Sequence, residues 1–422
     1  MKQIVFYLII AYPFLLANAQ QSEANYDESK VPQFELPNLL VTFDGQQIGD
    51  TSEWEKIRKP ELYRFFEEKV YGKVPGGLDS LSFKVVEQAD DALNGKAHRK
   101  QIEVTLLKND RSVAFTLLLY LPKINGPAPV FLGYNFYGNH TVTPDKDVII
   151  SKAWARNNED FGITDNTLTE ASRGVRTHRW AIEKIIDGGF GLATMYYGEI
   201  DPDKNDFSDG LHALFYTEGQ DVPKPNEWGS LAAWAFGMQR ALDYFETDAD
   251  VDATRVIAFG HSRLGKTALW AGATETRFAG VISNDSGCGG AALSKRKFGE
   301  TIAVINRNYP YWFADNFNHY NDNEAALPVD QHQLLALIAP RPLYVASAEN
   351  DEWADPKGEF LSAYHASTVY GLYGKKGIPN EKMPDINSPV QNTVAYHIRK
   401  GKHDVTDYDW EQYITWAKKF ID

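Results

Sequence analysis

Short apolar runs alternate with amphipathic segments from about residue 129 to the end of the chain. The runs Pro129–Tyr134, Phe190–Tyr196, Arg255–Phe259, Gly280–Ser283, Pro342–Ala346 and Thr393–Ile398 are candidate strands, mostly apolar or small apart from Arg255 and His397. A strand reads this way when both of its faces are covered, as in a parallel sheet. Between these runs the spacing predicts helices over Arg179–Ile186, Trp228–Phe245, Lys266–Ala273, Gln331–Ile338, Lys357–Gly371 and Tyr408–Phe420. The second is the clearest, with Leu231, Trp234, Ala235, Met238, Ala241, Leu242 and Phe245 on one face. Strand and helix in turn imply a mostly parallel sheet between helical layers, an α/β three-layer sandwich. Ahead of it, Lys59–Tyr71 predicts a helix. Lys100–Leu107 and Ser112–Leu121 predict two strands joined by a hairpin at Lys108–Arg111.

Three stretches break the alternation: Tyr137 to about His178, Tyr197–Asn226 and Ser286–Asp330. Segments this long without periodicity usually carry function. In a doubly wound sheet they crown the carboxyl edge, where ligands bind. No repeat or low-complexity linker divides the chain, so residues 20–422 are expected to form one domain. Residues 1–19 precede it as a leader: Lys2, an apolar Ile4–Leu16, then Ala17-Asn18-Ala19 as a small-x-small cleavage site. That leader implies a secreted or periplasmic protein whose first residues, Gln20–Pro37, form a loose polar arm. With one cysteine, Cys288, no intramolecular disulfide is possible, and Cys288 is expected to be a buried thiol.

The formal net charge is −14, and removing residues 1–19 takes away one lysine, giving −15. This argues against nucleic acid and against anionic membrane surfaces as partners. An anionic substrate would have to be met by local cations. The 22 tyrosines and 10 tryptophans could supply platforms for sugars or aromatic alcohols, although most must be core.

The chemistry concentrates in Gly260-His261-Ser262-Arg263-Leu264-Gly265-Lys266, set between a strand and a helix. A serine on such a turn is lifted to the sheet edge as a nucleophile, and the following helix points N–H groups at an oxyanion. The plain alternative is a serine capping a helix. The usual second glycine is one residue late, at Gly265, and Arg263 follows the serine directly. In this fold the acid and then the histidine follow the serine along the chain. His403 lies between the last strand and the last helix, where a general base belongs; His397 lies inside the strand, and His261 is expected to point away. For the acid, the loop after the penultimate strand points to Asp351, with Asp285 as the alternative. Arg263 can place a charged donor on the oxyanion, and the loop Gly138-Asn139-His140-Thr141 can add a backbone N–H. There is no metal signature, no G-x-G-x-x-G and no Walker A, so no cofactor is expected.

The segments Asn135–Asn139, Gly260–Lys266, Asp285–Ala291, Leu334–Pro342, Glu349–Trp353 and the His403 loop occur in this order. Together they make the chain, from about Leu36 onward, resemble a bacterial glucuronoyl esterase of carbohydrate esterase family 15. The resemblance implies an α/β-hydrolase fold and hydrolysis of the ester between (4-O-methyl-)glucuronic acid of glucuronoxylan and lignin alcohols. It implies Ser262 as nucleophile, His403 as base and Arg263 as oxyanion donor. Lys266 and Glu300 would meet sugar hydroxyls, and Trp353 would line the sugar pocket. Fungal members carry their acid, a glutamate, at the position of Asp285, and some bacterial relatives at that of Asp351. The competing readings are an acetyl- or feruloyl-xylan esterase of the same fold, and a non-catalytic carbohydrate-binding protein. The enzyme is expected to act as a monomer.

Overall fold

In the computed structural model, residues 24–421 are described; the leader over residues 1–19 lies outside them. Nine strands form one sheet: β1 (Ser80–Asp91), β2 (Ala97–Lys108), β3 (Arg111–Pro122), β4 (Ala128–Asn135), β5 (Gly191–Tyr196), β6 (Val251–His261), β7 (Gly280–Asn284), β8 (Leu343–Ala348) and β9 (Val394–Arg399). Their spatial order is β1-β2-β3-β5-β4-β6-β7-β8-β9. The segment from β5 to β9 is parallel, and β1, β2 and β3 join its edge antiparallel. This is the α/β-hydrolase architecture.

Alternate residues of the central strands feed two separate cores. On β6, Val256 and Ala258 face one and Ile257 and Phe259 the other; on β8, Leu343 and Val345 oppose Tyr344 and Ala346. Side chains alternate across a strand, so a continuously apolar strand means helices on both faces. The helices Ser230–Phe245, Arg263–Thr274, Gln331–Ala336 and Pro356–Leu372 pack on the first core. Ile182–Asp187 and Asp407–Phe420 pack on the second.

Eight of these nine strands and all seven helices predicted above lie where the periodicity put them, within a few residues, with extensions at β2 and β6. The Lys108–Arg111 hairpin is tight because Asn109 and Asp110 both take positive φ, 51° and 59°, as a two-residue turn requires. β1 was not foreseen. It is an edge strand with an exposed, charged face, so no apolar run announces it. The irregular stretches hold short helices: Tyr197–Ile200 and Gly210–Phe215 in the second, Ile302–Asn308 in the third.

The arm expected to be loose is tied down over its described part. Asn25 pairs with Gly299 as an isolated β-bridge. Glu28 accepts from Arg296 at 2.6 Å and from Lys357 at 2.9 Å. Arg296 is itself buried against Asp355. These anchors lie far along the chain, which is why local sequence reading missed them.

Candidate active site

Ser262 stands between β6 and the helix Arg263–Thr274 with φ 59° and ψ −131°. Such a conformation costs a non-glycine residue about 1–3 kcal/mol, so its surroundings must hold it. Its N–H donates to Asn284 O at 2.9 Å, and Gly265 N–H donates back to Ser262 O at 2.9 Å. The flanking glycines are steric necessities. A Cβ on Gly260 would lie 1.9 Å from Leu264 O, and one on Gly265 would lie 2.9 Å from Ser286 Cβ. The displaced second glycine therefore serves the crossing of the elbow helix over the loop after β7.

Loops after β7, β8 and β9 bring the other groups to the same edge. His403 Nδ1 lies 2.6 Å from Asp351 Oδ2. The acid is buried, while the imidazole is 38% exposed on the cleft wall. A carboxylate at Nδ1 fixes the tautomer and leaves Nε2 free to accept a proton. Asp285 is buried in the same cluster: its carboxylate, that of Asp351 and a His403 ring nitrogen lie within 4.8 Å of one another. Asp285 however faces Arg399 at 3.4 Å and the Asp404 N–H at 3.3 Å. Burial, with Glu359 and Asp351 nearby, pushes its carboxyl well above the ordinary range. Close spacing of this trio would suit a cation too, but Arg399 already brings positive charge to Asp285.

Ser262, His403 and both acids line a cleft of about 360 Å³ together with Arg263, Lys266, Glu300, Tyr309, Trp312 and Trp353. The eight residues expected to act in catalysis or substrate binding thus share one cleft, whereas the Gly138–Thr141 loop is buried and does not line it. Lys266 and Glu300 are buried, and Trp353 is 39% exposed at the rim. Lys266 Nζ donates to Ser286 O at 2.5 Å and lies 3.9 Å from Glu300 Oε2. Burial lifts the Glu300 carboxyl to about 7, against the pull of Lys266 and Arg263.

Sequence reading missed the residue that aims Arg263. Asp203, in the polar stretch after β5, is buried and pairs with the Arg263 guanidinium. It also accepts from Tyr197 Oη at 3.0 Å, Tyr311 Oη at 2.9 Å and Trp312 Nε1 at 2.8 Å. Burial opposes its charge, but Arg263 and these donors outweigh it and hold the carboxyl below its ordinary value. The guanidinium lies over Trp312 at 4.9 Å and Phe136 at 5.5 Å. Its Nε is buried and donates to nothing among the described residues. The Asp–Gly–Pro-rich composition of residues 197–226 marked the loop, but no local pattern marks Asp203.

Two further placements differ from expectation. His261 does not point away: its ring lies 4.5 Å, centroid to centroid, from that of His403. Asn284 Oδ1 holds His261 Nδ1 at 2.6 Å, and burial, with Arg179 and His403 beside it, keeps the imidazole neutral. Glu359, unnoticed in the sequence, accepts from the N–H groups of Ser286 and Gly287 and from Ser347 Oγ, bracing the Asp285 loop against β8. Cys288 is buried and free, as expected.

A serine on a strained strand–helix elbow, sharing one cleft with an acid-bound histidine, is the arrangement of a serine ester hydrolase of α/β-hydrolase fold. Residues 215–374 match the family model described as glucuronyl esterase, fungi. Carbohydrate esterase MZ0003, from an unknown prokaryotic organism, is 50% identical over 402 residues, covering 94% of this chain and 92% of its own. The solved structure of a promiscuous CE15 esterase from a marine bacterial metagenome superposes with a TM-score of 0.89 at 49% identity, over 94% of this chain and 100% of that one. The glucuronoyl esterase from Solibacter usitatus gives 0.87 at 49% identity, over 92% and 99%. The chain belongs to carbohydrate esterase family 15, the glucuronoyl esterases, and is of the bacterial type.

Proposed function

We propose that this enzyme hydrolyses the ester joining (4-O-methyl-)glucuronic acid of glucuronoxylan to lignin alcohols. The observation that carries the reading is the make-up of the cleft wall beside Ser262. Buried Lys266 and Glu300, with the indole of Trp353 at the rim, offer a cation, an acceptor and an apolar face to a hydroxylated ring. An acyl group of that kind is a uronic acid. A small acetyl group would leave these three side chains without a role.

In the mechanism we infer, His403 Nε2 takes the proton of Ser262 Oγ as the serine attacks the ester carbonyl. Asp351 stabilises the imidazolium through Nδ1. Arg263, held by Asp203, and backbone N–H groups at the elbow receive the oxyanion. His403 then protonates the departing alcohol. A water, activated by the same histidine, frees the glucuronate. The leader read in residues 1–19 supports export to the periplasm or beyond, where the polymer would be met.

The test is turnover of benzyl D-glucuronate by the wild type and by Ser262→Ala. Serine-dependent release of glucuronate is expected, and its absence would overturn the reading. Hydrolysis of simpler esters forms the second reading, because one solved relative is described as promiscuous. It predicts p-nitrophenyl acetate turnover by the same serine.

A further inference from the structure

The tied arm runs beside the segment that carries Glu300 into the cleft. Asn25 O accepts from Gly299 N–H at 2.8 Å, and the next residue in that segment, Glu300, donates its N–H to Trp353 O at 3.0 Å. Three chain segments thus lie side by side: the arm, the Gly299–Glu300 segment and the Trp353 turn. No side chain can stand at the middle position, since a Cβ on Gly299 would meet Trp353 O at 2.4 Å. The outer two segments each carry an exposed aromatic, Tyr26 at 48% and Trp353 at 39%, with the Glu300 carboxyl between them in sequence of segments.

Tyr26 is held and yet open. Its ring packs edge-on against Phe298 with centroids 6.4 Å apart. Its hydroxyl makes no hydrogen bond among the described residues, although partial burial and the nearby carboxylates of Glu352, Glu300 and Asp351 push the phenol above its ordinary range. The main-chain bridge from Asn25 to Gly299 sets this ring beside the segment that carries Glu300 into the cleft. Glu28, two residues on, fixes the arm through Arg296 and Lys357. An exposed aromatic on a well-anchored segment offers a flat apolar face at little entropic cost.

We propose that Tyr26 is a specificity-determining residue, forming with Trp353 an aromatic platform for the sugar units that adjoin the uronic acid on the polysaccharide. The platform lies on the Glu300–Trp353 side of the cleft, which is the side assigned above to the carbohydrate, so the inference rests on that reading. Its occupant is a neutral pyranose of the main chain. A ring face of C–H groups stacks on the phenol, and the exposed carboxylate of Glu352, beside Trp353, disfavours an anionic ligand there.

The experiment compares two benzyl esters: that of free D-glucuronate and that of a glucuronoxylo-oligosaccharide carrying the same acid. With Tyr26→Ala, KM for the oligosaccharide ester is expected to rise roughly tenfold, about 1.4 kcal/mol, with kcat held. KM for the monosaccharide ester is expected to stay unchanged. Tyr26→Phe, which keeps the ring, should restore most of the loss, and equal melting temperatures of the variants exclude unfolding of the arm. An equal effect on both esters, or no effect on either, overturns the proposal. Failure of the wild type to hydrolyse any glucuronate ester would instead sink the proposed function, and the two outcomes are distinct.

Discussion

Asp351 Oδ2 lies 2.6 Å from Nδ1 of His403, whereas Asp285, buried in the same cluster, faces Arg399 and a backbone N–H. Two acids near one histidine thus occupy different environments. Asp351 is placed to orient the imidazole and to balance its charge. The carboxyl of Asp285 is pushed up by burial and by its acidic neighbours, so a neutral amide would nearly match it. Asp351→Asn is expected to lower kcat by about 10²–10⁴-fold, because it offers the wrong partner to Nδ1. Asp285→Asn should cost less than roughly tenfold. Steady-state kinetics on one glucuronate ester decides; the reverse ranking would assign the acid to Asp285.

Asp203 makes Arg263 what it is. Deleting one charged oxyanion donor typically costs about 10²–10³ in rate, and Arg263→Ala should fall in that range. Asp203→Asn removes the charge that aims the guanidinium, so a similar loss is expected. The double variant should be little worse than either single one, because both changes remove one interaction. Asp203 also contributes to stability. Its folded pKa lies below the ordinary carboxylate value, so that contribution is complete above about pH 4 and is lost as pH falls further. Thermal melts of wild type and Asp203→Asn should therefore converge in strong acid and separate at neutral pH. Additive kinetic losses in the double variant would contradict the linkage.

Glu300 behaves in the opposite sense. Burial raises its carboxyl to about 7, so the folded state binds a proton that the unfolded chain releases near pH 4.5. Its effect on stability is thus increasingly unfavourable from about pH 4.5 to 7, then level. Glu300→Gln should remove that slope and melt higher than wild type at pH 8 relative to pH 5. As an acceptor for sugar hydroxyls the charged form is the better one, so KM for glucuronate esters should fall as pH rises through about 7. Glu300→Gln should show no such fall; the same KM profile in both proteins would refute the role.

The elbow stores strain at Ser262, φ 59°. Alanine there keeps the strain while glycine relieves it. Ser262→Gly should be more stable than Ser262→Ala by about 1 kcal/mol or more, both being inactive. By contrast, Gly260→Ala should be severely destabilised, as its Cβ would meet Leu264 O at 1.9 Å. Chemical denaturation of the three variants gives the order directly, and a stable Gly260→Ala would show that the elbow packs otherwise.

The parallel strands were legible because burial on both faces writes itself as uninterrupted apolar runs, as in Val256–Phe259 and Leu343–Ala346. The elbow was legible because strand, glycine, serine and helix are adjacent in sequence. His403 followed from its place between β9 and the last helix. The edge strand β1 was not legible: its exposed face carries charges, and its partner β2 supplies the pattern. Asp203 and Tyr26 were missed for another reason. Their partners, Arg263, Tyr311 and Trp312 for the one, and Phe298 with the Gly299 segment for the other, lie from 60 to more than 270 positions along the chain. Side chains brought together only by loop closure leave no periodic trace. His261 was misread because its direction depends on Asn284 at the end of β7, a contact invisible in the elbow motif itself.

The central claim is that Ser262 acts on an ester of a uronic acid. The most direct measurement is kcat/KM for benzyl D-glucuronate beside p-nitrophenyl acetate, for the wild type and Ser262→Ala. The account predicts serine-dependent turnover that strongly favours the glucuronate ester. Ready acetate turnover with none on glucuronate, or glucuronate turnover that survives Ser262→Ala, would contradict it.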